Sequence, residues 1–165
     1  MAEKATNKPM LRHQNGDLTL IEPEAPTLIV HVCNNMNRFG AGFAKAVAER
    51  WPIVKDAYHQ WYLSGFWEGV PFELGEVQTV PVEPNLSVVN MVAQNGVNST
   101  LNSTPIKYWA LSQCLTSVAE RVRTTGELVV LPRIGCGLAG GNWELVEPIL
   151  LRTVCCTTLV TVYDL

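Results

Sequence analysis

Residues 131–143 constrain the fold most, because they place a glycine-rich loop between a strand pattern and a helix pattern. The branched run at 127–131 is typical of a buried strand, and apolar spacing from Trp143 to Val154 favours a helix. Four glycines fall between 135 and 141. Glycines let a ligand approach backbone N–H groups, and the positive end of the helix attracts anions. The loop therefore predicts a phosphate site, with a loop that only needs flexible turns as the alternative.

A second loop of the same kind follows residues 27–33, which are apolar on both faces and therefore predict a central parallel strand. Gly-Ala-Gly at 40–42 leads into an alanine-rich helix pattern at 43–50, stopped by Pro52. Lys45 stands where a dinucleotide fingerprint requires Gly or Ala, and neither loop contains GK[ST]. A Rossmann dehydrogenase is therefore disfavoured and a P-loop is excluded. Ligands of layered α/β folds bind at the carboxyl ends of strands, so we expect the two loops to clamp a diphosphate.

The remaining pattern completes a layered α/β fold. We expect a strand at 10–13, a turn at 14–17, a helix ending near 63, a hairpin of strands 74–82 and 86–93, and a polar loop at 94–103. Thr104 is expected to cap a helix that has Pro105 in its first position and stops near Gly126. Asn142 is expected to cap a further helix, which Pro148 kinks or whose start it delays, and the last strand is expected at 157–165. Strands interleaved with helices, plus one hairpin, predict a mixed sheet with helices on both faces. Residues 1–9 are expected to form a flexible tail and residues 10–165 a single domain.

Composition narrows the function classes. The 165 residues carry a net charge of −3 with 16% charged residues and no Lys/Arg cluster, which disfavours binding to long nucleic acids. Five cysteines show no CxxC spacing, so we expect reduced thiols, no metal site and no cofactor. An apolar signal core and a run of about 20 apolar residues are both missing, which predicts no membrane association and a cytoplasmic location. We expect a monomer.

Four motifs in order resemble a macrodomain. They are Gly16-Asp17-Leu18, the strand 29–34 leading to 40–44, the loop 132–138, and the terminal segment 162–165. More narrowly, they are similar to the branch that includes terminal ADP-ribose protein glycohydrolase and the yeast-type ADP-ribose 1''-phosphate phosphatase. The resemblance implies a three-layer α/β/α fold with a mixed central sheet, and ADP-ribose or an ADP-ribosylated substrate as the ligand.

The resemblance also implies residue roles. Asp17 would read the adenine amine and Tyr163 would pack on adenine, although a turn aspartate and a core tyrosine are the alternatives. Asn34 would hydrogen-bond the distal ribose. The implied ligand-binding set is Asp17, Leu18, Asn34, Gly40, Ala41, Gly42, Ile134, Gly135, Cys136, Gly137, Leu138, Ala139, Gly140 and Tyr163. Cys136 is interpreted as a small wall residue, because a cysteine phosphatase needs an arginine at position 142 and the chain has Asn142.

His31 and Asn34 are the candidate catalytic residues. His31 falls where phosphatase-type relatives carry a histidine, and an imidazole suits proton transfer near neutral pH; the alternative is a buried, satisfied histidine that shapes the pocket. The lysine and aspartate of glycohydrolase relatives correspond to Gln94 or a neighbour and to Ala139, which cannot form a Schiff base or act as an acid. Asn90, Gln94 and Asn95 are candidates for orienting a water or contacting the distal ribose.

Two functions follow as hypotheses. The first is hydrolysis at the distal end of ADP-ribose derivatives, either ADP-ribose 1''-phosphate or ADP-ribosyl linkages. The alternative is a module that reads ADP-ribose without chemistry, and a third option is an interaction domain with vestigial loops.

Overall fold

The computed structural model of the chain describes residues 10–98, 104–137 and 139–164. The strands are β1 (Leu11–Asn15), β2 (Thr27–Asn34), β3 (Phe66–Trp67), β4 (Val70–Pro71), β5 (Val77–Glu83), β6 (Leu86–Gln94), β7 (Leu128–Leu131) and β8 (Val160–Asp164). The helices are α1 (Gly42–Arg50), α2 (Pro52–Ser64), α3 (Tyr108–Thr125) and α4 (Trp143–Arg152), with short 3-10 turns at Leu18–Leu20 and Val154–Cys156. The expected tail at 1–9, part of the polar loop at 94–103, Leu138 and Leu165 lie outside the described residues. Within those residues, no helix has both the length and the apolar character needed to cross a membrane.

One six-stranded sheet organises the molecule, in the order β1-β8-β7-β2-β6-β5. The neighbouring strands are parallel except β5, which pairs antiparallel with β6. Helices α3 and α4 pack in one apolar cluster, and α1 and α2 contribute to the second. The predicted layered α/β/α fold with a mixed central sheet is therefore confirmed.

Strand β2 lies inside the sheet because it is apolar on both faces. Leu28 and Val30 contribute to the cluster with α3 and α4, whereas Ile29 and Cys33 contribute to the cluster with α1 and α2. Its neighbours are β7 and β6, both parallel to it. The carboxyl ends of these three strands meet at one edge of the sheet, and this places the chain segments that follow them side by side.

The start of α3 corrects the sequence prediction. The helix begins at Tyr108 rather than at Pro105, because the preceding residues are used for pairing. Ile106 forms a bridge with Gln94, and its N–H donates to the carbonyl oxygen of Ala139 at 3.1 Å. This segment therefore ties the end of β6 to the glycine-rich loop.

Other boundaries also differ from the prediction. The sequence pattern missed the small hairpin β3–β4, in which Glu68 and Gly69 both adopt left-handed φ angles of 49° and 81°. Helix α4 begins at Trp143, since the Asn142 side chain accepts a hydrogen bond from the N–H of Glu144 at 2.9 Å. Pro148 therefore does not delay the start of the helix, and the kink expected as the alternative stays a prediction.

Candidate functional site

A cavity of about 770 Å³ lies at the carboxyl ends of β2, β6 and β7. Both glycine loops contribute to its wall, through Gly40, Ala41, Gly42, Ile134, Gly135, Gly137 and Ala139. Asn34 and Gln94, the last residues of β2 and β6, also line it. The two loops that the sequence predicted to share a site therefore face one space.

The second loop is folded back on itself by its glycines. The N–H of Gly141 donates to the carbonyl of Gly135 at 2.6 Å, and a Cβ at position 141 would collide with that carbonyl. Gly135 and Gly140 have left-handed φ angles of 74° and 72°. A Cβ at Gly137, in contrast, would meet nothing within 4 Å, so this wall position is open. Gly137 is therefore a position on the cavity wall where a side chain has room.

Cys136 turns away from the cavity. Its side chain packs against the core cluster on the α3 and α4 side, and its Sγ lies 3.3 Å from the carbonyl oxygen of Ile134. Burial raises the pKa of the thiol, which disfavours a thiolate nucleophile. Neither Cys136 nor Gly140 is among the lining residues of the cavity.

The first loop is built around the side chain of Asn34. Its Oδ1 accepts from the N–H of Met36 at 2.9 Å and from the hydroxyl of Tyr58 at 3.0 Å. Its Nδ2 donates to the carbonyl oxygen of Arg38 at 2.8 Å. The amide therefore shapes the loop, and the remaining Nδ2 proton is the group left for a ligand. The predicted contact with a distal ribose stays a prediction.

Helix α2 holds this loop from the other side. The hydroxyl of Tyr58, which is fully buried, shares its one proton between Oδ1 and the carbonyl oxygen of Asn34, the latter at 2.8 Å. His59 pairs through Nδ1 with the side-chain oxygen of Asn37, whose φ angle of 59° is left-handed. The described contact of His59 therefore supports the first loop.

His31 lies under the cavity and is 2% exposed. Its Nε2 is 2.6 Å from Oδ1 of Asn90, whereas its Nδ1 is buried without a hydrogen-bond partner among the described residues. The rings of Phe39 and Phe43 pack edge-on against the imidazole at centroid distances of 5.6 and 5.8 Å. Burial lowers the pKa of His31 to about 4, below the near-neutral range expected from the sequence. The imidazole is therefore neutral at pH 7.

The three amides considered from the sequence separate in the structure. Asn90 is fully buried and is not among the residues that line the cavity, so its candidate role in orienting a water or contacting the distal ribose stays a prediction. Gln94 lines the cavity. Asn95 is exposed, and its Oδ1 accepts from Nδ2 of Asn35 at 3.2 Å, which joins the loops after β6 and β2.

The charged side chains in the cavity wall are both arginines. Arg133 donates to the Asp164 carboxylate at 2.6 Å, which lowers the pKa of that carboxyl, and its guanidinium lies 5.2 Å from the centre of the Trp143 ring. Arg38 has no ion pair within the described part of the chain. No described aspartate or glutamate lines the cavity. The wall is therefore suited to an anion, although the chain carries a net charge of −3.

The residues predicted to hold adenine lie together at the β1–β8 edge. Asp17 accepts from the N–H and hydroxyl of Thr19 at 2.8 and 2.7 Å, both through Oδ1, which leaves Oδ2 outside these bonds. A Cβ at Gly16 would lie 3.4 Å from the Tyr163 ring. Leu18 is buried. Tyr163 lines a second cavity of about 410 Å³, and the wall of the larger cavity includes none of Asp17, Leu18 and Tyr163. Their adenine-binding roles stay predictions.

Comparison with known proteins places this fold. No protein-family model matches the sequence. A structure of a Bacteroides thetaiotaomicron protein of unknown function is 40% identical, covers 94% of this chain and 98% of that one, and superimposes with a TM-score of 0.87. A macrodomain protein from Streptomyces coelicolor is 38% identical, with coverage of 94% and 99% and a TM-score of 0.80. The chain belongs to the macrodomain family.

More distant macrodomain-like folds extend the comparison. The DarTG protein of Thermosipho africanus, solved in complex with ADP-ribose, is 16% identical, covers 95% of this chain and 42% of that one, and has a TM-score of 0.75. At this identity the likeness shows the fold alone. The narrower branch suggested by the sequence motifs stays a prediction for this macrodomain.

Proposed function

We propose that this macrodomain binds ADP-ribose in the larger cavity and hydrolyses ADP-ribose derivatives at their distal end. The observation that carries the proposal is the cavity wall itself, in which two glycine loops face one space together with Arg38, an arginine without an ion pair among the described residues. A diphosphate needs backbone N–H groups and positive charge, and such loops at strand ends supply both. The Thermosipho protein was solved with ADP-ribose, and the part of it that this chain matches has the same fold, which supports this choice of ligand.

The proposed pose follows the order of the loops. The diphosphate lies against residues 135–140, and the distal ribose lies beside residues 40–42 and Asn34. The adenine reaches toward Asp17 and Tyr163 at the neighbouring edge of the sheet. Arg38 in the first loop then stands near the distal end, where ADP-ribose 1''-phosphate carries a further anionic group.

The proposed reaction is the addition of one water. With ADP-ribose 1''-phosphate the bond between phosphate and the 1'' oxygen breaks and yields ADP-ribose and inorganic phosphate. With an ADP-ribosyl linkage the bond from C1'' to the protein breaks. A histidine with a pKa of about 4 is a weak base, so we assign Nδ1 of His31 to orienting the water, while the proton passes to the substrate's phosphate or leaving oxygen. Asn34 positions the distal ribose.

The experiment incubates the purified protein, at concentrations near those of the substrate, with ADP-ribose 1''-phosphate and separately with ADP-ribosylated protein. Chromatography of the products detects ADP-ribose release. Product from either substrate supports hydrolysis. If the protein binds ADP-ribose but releases no product, it is a module that reads ADP-ribose without chemistry. If it neither binds ADP-ribose nor releases product, the proposal is refuted.

A variant separates binding from chemistry at the same site. His31→Ala should lower turnover by about 100-fold, the loss expected when a reactant is misplaced by about 1 Å, while ADP-ribose affinity changes little. Calorimetry with ADP-ribose supplies the affinity and also shows that the variant is folded. Equal losses in turnover and affinity would remove His31 from the mechanism.

A further inference from the structure

Three buried polar side chains form a row across the sheet. His31 on β2 is in register with Asn90 on β6, which is in register with Gln78 on β5. Their exposed fractions are 2%, 0% and 1%. A buried polar group without a partner destabilises the fold, so an apolar sheet carries such a row only when its members hydrogen-bond one another.

The hydrogen bonds of this row have one direction, set by a backbone carbonyl on α2. The oxygen of Ala57 can only accept, and it lies 2.9 Å from Nε2 of Gln78, which must donate. Oε1 of Gln78 then faces Nδ2 of Asn90 at 2.9 Å and accepts from it. Oδ1 of Asn90 therefore faces His31 as an acceptor.

This direction determines the tautomer of the histidine. Nε2 of His31, 2.6 Å from Oδ1 of Asn90, has to carry the proton. The thiol of Cys33, 3.6 Å from the same oxygen, is oriented as a second donor to it. Nδ1 is left with its lone pair and no described partner. The atom itself is buried, although His31 is among the residues that line the larger cavity.

We propose that Asn90 and Gln78 are positioning residues that hold His31 as the Nε2–H tautomer, so that Nδ1 accepts a hydrogen bond from the water or ligand at the distal end. The part that concerns the ligand rests on the function proposed above. The tautomer itself depends only on the row. The side-chain amides of Asn90 and Gln78 thereby determine which imidazole nitrogen of His31 can accept a hydrogen bond.

Nitrogen NMR tests the tautomer without any substrate. Long-range proton–nitrogen correlation at pH 7 distinguishes a protonated from an unprotonated ring nitrogen. In the wild-type protein, Nε2 of His31 should give the protonated signal and Nδ1 the unprotonated one. A protonated Nδ1 would overturn the inference.

A near-isosteric variant tests the positioning role. Gln78→Met removes the anchor to Ala57 and lets the Asn90 amide rotate, so the Nδ1–H tautomer of His31 should become populated. The matched control is Thr79→Val, the next residue of β5, whose side chain points to the opposite face of the sheet. Turnover of ADP-ribose 1''-phosphate should fall about tenfold or more in Gln78→Met, with ADP-ribose affinity unchanged and Thr79→Val close to wild type.

The outcomes are distinguishable. If Gln78→Met keeps both the wild-type tautomer and wild-type turnover, the positioning role is refuted. If the wild-type tautomer is as stated but the protein releases no product from any substrate, the proposed hydrolysis fails while the assignment of the row stands.

Discussion

The buried, neutral state of His31 predicts a specific loss of stability in mild acid. The folded-state pKa of about 4 lies below the ordinary histidine value of about 6.5. Between these two values the unfolded chain binds a proton that the folded chain excludes. The neutral imidazole therefore stabilises the fold fully above pH 6.5, and this contribution is lost as the pH falls toward 4.

The size of the effect follows from the two pKa values. At pH 5 proton uptake by the unfolded chain lowers the free energy of unfolding by about 2 kcal/mol, and at pH 4 by about 3 kcal/mol. Other groups near His31 do not titrate in this window. Burial raises the pKa of Cys33 and of Tyr58, so both stay neutral.

Urea unfolding at pH 7 and pH 5 measures this difference. The wild-type protein should lose about 2 kcal/mol more than His31→Gln, because that variant lacks the titrating imidazole. His59→Gln is the matched control, since the pKa of His59 is also lowered but the residue is only partly buried. Equal losses in the wild-type protein and in His31→Gln would refute the buried neutral histidine.

Three further predictions concern the cavity and the adjacent helix. Gly137→Val should weaken ADP-ribose binding by about tenfold or more in calorimetry, because Gly137 lines the larger cavity and a Cβ there meets nothing within 4 Å; an unchanged affinity would contradict a ligand bound against this loop. Arg38→Gln should reduce affinity for ADP-ribose 1''-phosphate more than affinity for ADP-ribose, and an equal reduction would remove Arg38 from recognition of the terminal phosphate. Asn142→Ala should lower the free energy of unfolding by about 1 kcal/mol, because helix α4 loses its N-cap hydrogen bond. Thermal or urea unfolding measures this loss, and an unchanged stability would contradict the role of Asn142 as a cap.

The sequence predicted those parts of the fold that depend on local pattern. The run at 27–33 is apolar on both faces, so its central parallel position could be expected, and the glycine loops necessarily lie at strand ends. The start of α3 could not be predicted in the same way. Thr104 and Pro105 form a good helix start locally, but the pairing of Ile106 with Gln94 is a contact between distant residues and overrides it.

The candidate site likewise has some features that local sequence predicts and others that depend on contacts between distant residues. Residues in the glycine loops could be proposed from their spacing, whereas the roles of Asn90 and Gln78 depend on the register of three strands. The sequence shows only that Gln78 and Asn90 are polar residues within two apolar strand patterns. It does not show which side chain each of them contacts. The pKa of His31 could not be anticipated either, because it depends on burial beneath Phe39 and Phe43.

A crystal structure of the protein with ADP-ribose tests the central claim most directly. The diphosphate should lie in the larger cavity, within hydrogen-bonding distance of backbone N–H groups in residues 135–140, with the distal ribose beside Asn34 and above His31. Density for the diphosphate in the smaller cavity, or no ligand density in crystals that contain saturating ADP-ribose, would contradict the account.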